Sequence, residues 1–249
     1  DPQVRGAINC VPSSTLAAVY YAVRALTGPD VPSNDGCYRP ITSHLPEGTI
    51  VNPNYPAPVG ARTLSFKRIG DAIMGALARA VPERIPAASN GQLNLMYVGG
   101  FDPLKERYFV GFLGVPMAGG MGARPGKDGI DLIETDLTNC IHFPTEACEA
   151  ELPMRVNRVE LWQDSGGPGE HRGGLGYEAE IEWLRGDALL TIRRDRHRFH
   201  PWGLAGGGPG AVGENWLLPG GDESAARRLP DKCTIRVSAG AVVRMLTPG

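Results

Sequence analysis

No stretch of this sequence approaches the roughly 20 consecutive apolar residues that a membrane-crossing helix needs, and no signal pattern opens it. A membrane role is therefore not expected. Nor does one sign of charge dominate. The chain has 25 basic and 27 acidic residues, a net charge of -2, which suggests neither a nucleic-acid surface nor an acidic tail. Cys10, Cys37, Cys140, Cys148 and Cys233 are odd in number, scattered and never spaced as CxxC. That argues against a disulfide framework or zinc cluster and favours reduced thiols in a cytoplasmic protein. No internal repeat is visible. The chain opens at Asp1 without Met and stops at Gly249, which reads as a fragment of a longer polypeptide.

The familiar nucleotide and nucleophile signatures fail as well. A P-loop needs Gly, four residues, then Gly-Lys-Ser/Thr. Gly126-Lys127 has Met121 where the first Gly belongs and Asp128 where the hydroxyl belongs. Gly208, Gly210 and Gly213 have dinucleotide spacing, but Pro209 interrupts them. A strand-like NWLL follows where a helix N-terminus should receive the pyrophosphate. There is no G-x-S-x-G, and no Cys in a His/Asn context that makes a nucleophile. His197 and His200 lie three apart among arginines, without a third ligand nearby, which favours a solvated or structural pair over a metal site. His44 and His142 are lone histidines, read as structurally satisfied.

Glycine and proline are abundant: 34 and 22 residues, without a collagen period and with apolar segments between them. A loop-rich globular fold follows, not disorder. The pattern predicts an α+β chain. A mixed α/β part spans residues 1–152, and a Gly-rich, mainly antiparallel β part spans 153–249. A helix is expected over 13–27, capped by Ser13 or Ser14, with Leu16, Val19, Tyr20, Val23 and Leu26 facing the core. A second is expected over 65–81, with Phe66, Ile69, Ile73, Leu77 and Val81 inward and Gly70 and Gly75 marking close packing. A short third covers 145–152. Asn34-Asp35-Gly36 suits a turn with positive φ. Strands are expected over 90–98 and 108–113, with shorter ones at 38–44 and near 49–51. After Met154 the period becomes two. Tyr177, Ala179, Ile181 and Trp183 alternate with Glu178, Glu180 and Glu182, and further strands fall around 159–161, 190–192, 216–218, 235–237 and 242–245.

The densest polar stretch is Met117–Thr145, MAGGMGARPGKDGIDLIETDLTNCIHFPT. Two glycine clusters precede Asp131, Glu134, Asp136, Asn139 and His142. Glycine allows close backbone approach, and so many polar groups in one span make it the best site candidate. Its chemistry is not legible from these residues alone. The basic run Arg193–Arg198 either clamps an anion or pairs with carboxylates across a sheet or on a partner's surface.

Taken in order, PSSTLAAVYYAVRALTGPDVPSNDGCYRPI, the GGMGARPGKDG loop, DLTNCIHFPTEACEAELPMRV, SGGPGEHRGGLGYEAEI and RRDRHRFHPWGLAGGGPGAVGENWLL resemble the B-type component of the ATP-dependent hydantoinase/5-oxoprolinase family. Ser165, Gly166, Gly167, Gly169, Arg172, Gly173, Gly174 and Gly176 carry its SGGxGxxRGGxG motif. Arg198, Pro201, Gly203, Leu204, Gly206, Gly207, Pro209 and Gly210 carry RxxPxGLxGGxPG. Where many relatives read HSHMTNT, residues 134–140 read ETDLTNC, so only Thr138-Asn139 is shared. The resemblance implies ATP-dependent opening of a cyclic amide (hydantoin, 5-oxoproline or a lactam). ATP would be held by a separate hydantoinase A-type subunit, with a divalent metal bound by an N-terminal half outside this chain. It also implies a hetero-oligomer, and a fragment that is inactive alone. Under that reading Asp136, Asn139 and Asp128 are the catalytic candidates, and Arg124, Gly120 and Gly122 the substrate-binding ones. No metal ligand is assigned here. Asn139 would hydrogen-bond an amide or carboxylate, and Asp136 would orient water or a metal ligand; bracing of the loop is the competing role for each. The two later Gly-rich motifs would make close backbone packing or the contact with the A-type partner. Two alternatives remain open: an acetone-carboxylase-like ATP-dependent ligase subunit, and a non-catalytic β-rich docking module.

Overall fold

Pro12 starts the first helix, α1 (Pro12–Leu26), because its fixed φ and missing N–H suit the first turn. Neither expected serine caps it. Val11 precedes the helix, and no side chain bonds its free N–H groups. The computed structural model describes residues 1–113 and 117–249, and these form two compact units, Asp1–Pro86 and Ala87–Gly249. In the first unit α1 packs on α3 (Arg62–Leu77). The fully buried stripes are Thr15, Ala18 and Ala22 on one helix and Leu64, Lys67, Gly70 and Met74 on the other. The larger residues expected to face inward are only half-buried, because small side chains let the helix axes approach and push bulk to the flanks. Asn34 does not form a positive-φ turn. Its side chain accepts from the Cys37 N–H and caps a single helical turn, α2 (Asp35–Tyr38). The short strands expected at 38–44 and near 49–51 do not form, and Thr49 makes only isolated bridges to Pro2 and Asn52. Buried Asn9 ties this irregular chain together, donating to the carbonyls of Val4 (2.7 Å), Gly6 (3.1 Å) and Pro58 (3.0 Å) and accepting from the Val4 N–H.

The second unit is built on β1 (Leu95–Asp102), β2 (Arg107–Leu113), a short α4 (Thr145–Glu151), then β3 (Met154–Leu161), β4 (Tyr177–Trp183), β5 (Ala188–Arg193), β6 (Glu214–Leu218), β7 (Arg227–Leu229), β8 (Lys232–Val237) and β9 (Val242–Leu246). Antiparallel pairing gives a four-stranded sheet in the order β2-β1-β5-β8 and a five-stranded sheet in the order β3-β4-β9-β6-β7. Their inner faces share one core: Met96, Val98 and Ile192 from the first sheet meet Tyr177, Ile181, Trp183 and Met245 from the second. Because β1 pairs with β5, the boundary expected at residues 152–153 runs through the middle of this unit. β4 keeps its predicted alternation. Its outward glutamates meet arginines, Arg155 on Glu182 (2.7 Å) and Arg244 on Glu180 (2.6 Å).

One expectation fails here. β1 begins at Leu95, not at Asn90, because Asn90, Gln92 and Asn94 turn their buried amides toward neighbouring backbone and side chains instead of joining a ladder. Three arginines of the basic run are turned to internal partners. Arg193 lies over the Tyr97 ring at 5.1 Å, and Arg196 donates to the His200 carbonyl at 3.1 Å. Fully buried Arg194 is held by neutral acceptors rather than carboxylates. Its guanidinium donates to Asn94 Oδ1 (3.0 Å), Asn215 Oδ1, the Glu214 carbonyl (3.2 Å) and the Leu246 carbonyl (2.9 Å). One side chain thus ties the approach to β1, the end of β5, and strands β6 and β9.

Arg194→Met would strand two buried amide oxygens and remove a donor from two partly buried carbonyls, so unfolding free energy should fall by about 3 kcal/mol or more in urea titrations. Next to it, burial and then the Arg194 charge push the His197 pKa from 6.5 down to about 3. The unfolded chain takes up this proton near pH 6.5 and the folded one only near pH 3, so stability falls as pH drops through that window, by up to about 1.4 kcal/mol per pH unit. His197→Gln should flatten that part of the slope of urea midpoint against pH.

Candidate functional site

Gly120 lies where three chain segments meet. Its N–H donates to the Pro248 carbonyl at 3.0 Å, and its carbonyl accepts from the Asn90 N–H at 2.9 Å. A Cβ at this position would run into the Gly174 carbonyl oxygen and the Gly249 backbone. Gly174 faces the Ile130 backbone in the same way, and its N–H donates to the Met121 carbonyl at 2.8 Å. The glycine loop after Met117, the 165–176 motif and the 247–249 segment are therefore stacked backbone on backbone, at distances only glycine permits. Gly122 belongs to the same layer, packed on the Ala87 carbonyl.

Charge fixes the rim of this layer. Arg172 grips Asp131 through two parallel bonds, of 3.0 and 3.2 Å, and Asp131 also accepts from the Leu175 N–H at 2.8 Å. The Arg172 guanidinium first, and the Leu175 N–H after it, hold the Asp131 carboxyl below the usual carboxylate range. Asp128 accepts from the Arg172 backbone N–H at 3.0 Å, and the Arg124 side chain folds back onto the Asp128 carbonyl at 3.0 and 3.2 Å.

Clamped between Asp131 and Ile133, Leu132 adopts φ of 47°, a left-handed conformation unfavourable for a branched side chain. Its N–H is held by the Leu175 carbonyl at 3.0 Å, and Ile133 exchanges bonds with Gly119 at 2.8 and 3.2 Å. The strain is sustained by these neighbours, and it turns Leu132 into the wall of a cleft. That cleft has a volume of about 440 Å³. Met117, Leu132, Ile133 and Val159 are its apolar lining; Glu134, Asn139, Cys140 and His142 are its polar groups. Glu134 accepts a hydrogen bond from Thr138 Oγ1. Among the described residues, no hydrogen bond occupies the side chains of Asn139 or His142.

Asp136 occupies a third setting. At φ of 55° it accepts from Ser89 Oγ at 2.9 Å, Ser89 accepts from Thr135 Oγ1 at 3.0 Å, and Thr135 accepts from Asn90 Nδ2 at 3.2 Å. The relay ends on the same Asn90 whose N–H holds Gly120. The six sequence-derived candidates thus separate. Gly120, Gly122, Arg124 and Asp128 sit at the glycine layer and its rim, Asp136 ends the hydroxyl relay, and Asn139 alone of the six lines the cleft.

The profile of the family described as hydantoinase B/oxoprolinase matches residues 1–249. This chain belongs to that family. An uncharacterized protein of Methanocaldococcus jannaschii is 38% identical over 99% of this chain, which covers 42% of that relative. A putative B-type component of a D-/L-hydantoinase from a Pseudomonas species is 35% identical over 87% of this chain and 36% of its own length. The crystal structure of an ATP-dependent caprolactamase from Pseudomonas jessenii superposes with a TM-score of 0.83 at 25% identity, covering 100% of this chain and 44% of that one. The hydantoinase B/oxoprolinase chain described here therefore spans about two fifths of these relatives' lengths.

Two features bear on the groups the family implies. Among the described residues, no three His, Cys, Asp or Glu side chains converge to hold a metal ion. Gly126-Lys127 lies in a tight turn closed by reciprocal Arg124–Lys127 backbone bonds of 2.9 and 3.0 Å, and residues 208–213 lead into strand β6. Neither glycine cluster opens a helix, so neither offers a helix-dipole phosphate cradle. No helix among the described residues is long and apolar enough to cross a membrane.

Sequence reasoning missed Asp131, which fastens the loop, and did not select Glu134, Cys140 and His142, which share a cleft with Asn139. Their proximity within nine positions was the available signal. Gly120→Ala should force the three stacked segments apart and lower stability on the order of 2 kcal/mol, read as a drop in melting temperature. Asp131→Asn should leave the sheets folded while speeding proteolysis within 117–145.

Proposed function

We propose that this chain forms part of the B-type component of a cytoplasmic, ATP-dependent cyclic amidohydrolase, acting in a hetero-oligomer with a hydantoinase A-type subunit that holds ATP. The observation that carries this reading is the cleft at Asn139. A ring forces its amide to be cis, so the C=O and N–H lie on one edge. The Asn139 carboxamide offers a donor and an acceptor that match that edge, and the apolar wall of Met117, Leu132 and Ile133 suits ring carbons. A planar amide carbonyl is a poor electrophile; ATP held by the partner would transfer its terminal phosphoryl group to the amide oxygen and leave as ADP, one water would add at the activated carbon as the C–N bond opens, and a second would release the phosphate.

In this arrangement Asn139 touches the substrate and orients its carbonyl. Asp136 is a positioning residue: through Ser89 and Thr135 it fixes the 134–139 turn that presents Asn139. Asp128 and Arg124, with Gly120 and Gly122, hold the loop against the 165–176 motif. The divalent metal of the family is assigned to the part of the protein that precedes this chain. The 249 residues on their own are expected to be inactive.

The test uses the full-length protein with its A-type partner, assayed for ATP-dependent opening of hydantoin, 5-oxoproline and simple lactams. Asn139→Ala should lower kcat/KM roughly 10- to 100-fold without changing the melting temperature, the loss expected for one or two substrate hydrogen bonds. Asp136→Ala should lower it less. Turnover unaffected by either change would support a docking-only role for this chain, and ATP consumption with acetone plus bicarbonate but no cyclic amide would support the ligase reading.

A further inference from the structure

Each sheet of the second unit ends in two edge strands, β2 and β8 in one, β3 and β7 in the other. An edge leaves a row of backbone N–H and C=O groups unpaired, and proteins guard it with charge, proline or a bulge. Three of these edges are guarded. β3 carries Arg155, Arg158 and Glu160 with a bulge between Val156 and Arg158, β7 carries Arg227 and Arg228, and β8 carries Lys232 and Arg236. β2 has no such guard beyond its first residue. From Tyr108 to Leu113 it is uncharged and free of proline, its register with β1 runs without a shift, and Tyr108 and Val110 are 85% and 88% exposed. Among the described residues, no strand lies on its other side.

A groove of about 460 Å³ lies there instead. Consecutive residues from Arg107 to Phe112 line it, so it follows the edge of β2 and not one face of the strand. Ala147, Cys148, Glu151 and Leu152 bring α4 to the opposite wall, and Phe143 stands beside Phe112 with ring centroids 6.0 Å apart. The two walls are fixed to each other. Lys105 Nζ donates to the Ala150 carbonyl, and Arg107 pairs with Glu151 at 2.7 Å. An unpaired strand edge facing a helix across a narrow groove is a shape that takes up one extended peptide.

We propose that β2 is completed by one added strand, an extended, apolar segment of about six residues (~3.4 Å of strand each) that belongs to this protein's own polypeptide outside residues 1–249. Relatives carry chain that could supply it: the M. jannaschii protein and the caprolactamase chain are covered over only 42% and 44% of their lengths. An unguarded edge needs cover whenever the sheet exists. A covalently joined segment is present at high effective concentration throughout, which a separate partner is not. Side chains alternate along a strand, so every second residue of the segment meets Phe143 and Ala147. The inference is independent of the amidohydrolase reading.

The experiment is hydrogen exchange, resolved to single amides, on the full-length protein. Amides of residues 107–113 that do not pair with β1 should exchange at least ~100-fold slower than in an open chain, at every protein concentration and with or without an A-type partner. Ala147→Trp fills the groove. It should bring those amides to within ~10-fold of the open-chain rate, and a peptide outside residues 1–249 should lose protection with them while β1 and β5 keep theirs. Fast exchange along the edge of β2 in the unmodified protein overturns the proposal. So does protection that appears only as concentration rises, the mark of a second copy, or only with the A-type partner. A variant in which no peptide outside residues 1–249 responds overturns it as well. Should Ala147→Trp not fold, Ala147→Glu, at an exposed helical position, sets a charge against the apolar segment and is read in the same way.

Discussion

Backbone packed against backbone is the constraint from which the second unit takes its form. Gly120, Gly174 and Gly249 meet at distances that leave no room for a Cβ, and the hydrogen bonds between their segments satisfy chain that would otherwise be irregular and buried. Such a layer cannot be held by side chains, since there are none at the contact. It is held from its edges instead, by Asp131 on Arg172 and by Asn90 on Gly120. The cleft inherits its form from that layer. Leu132 keeps its left-handed conformation because residues on both sides of it are tied to the stacked segments.

Division of labour along the 117–145 segment follows. Its first half packs on other segments of backbone and its second half lines the cleft. Gly120, Gly122 and Gly129 pack on other backbone and exposed Asp128 accepts from the Arg172 N–H, whereas Asn139, Cys140 and His142 line the cleft. Asp136 stands between the two, linked through Ser89 and Thr135 to the same Asn90 that anchors Gly120. A loop built this way presents a few polar groups on a braced support without placing them in a regular strand or helix.

The same logic explains which features were legible beforehand. Period-two alternation from Tyr177 to Trp183 is a local property, and β4 has the predicted faces. Helical spacing located α1 and α3 to within a few residues. Side-chain competition was not legible. Asn90, Gln92 and Asn94 look like the alternate positions of a strand, yet their amides serve distant segments, so the ladder starts later. Arg194 looked like one charge in a basic surface run; it is a buried tie whose acceptors come from residues 94, 214, 215 and 246. For the site, Asn139 was named from motif position, but its separation from Asp128 and Asp136 required coordinates.

By itself the sequence determined the α+β class, the strand and helix periods, the family and the segment that builds the cleft, because each of these is written in residue types at short spacing. Which glycines touch, which acid meets Arg172 and which polar groups share a cavity were decided only by tertiary structure. Contacts between residues forty or more positions apart depend on how the sheets bring their connecting loops together, and no local pattern encodes that meeting.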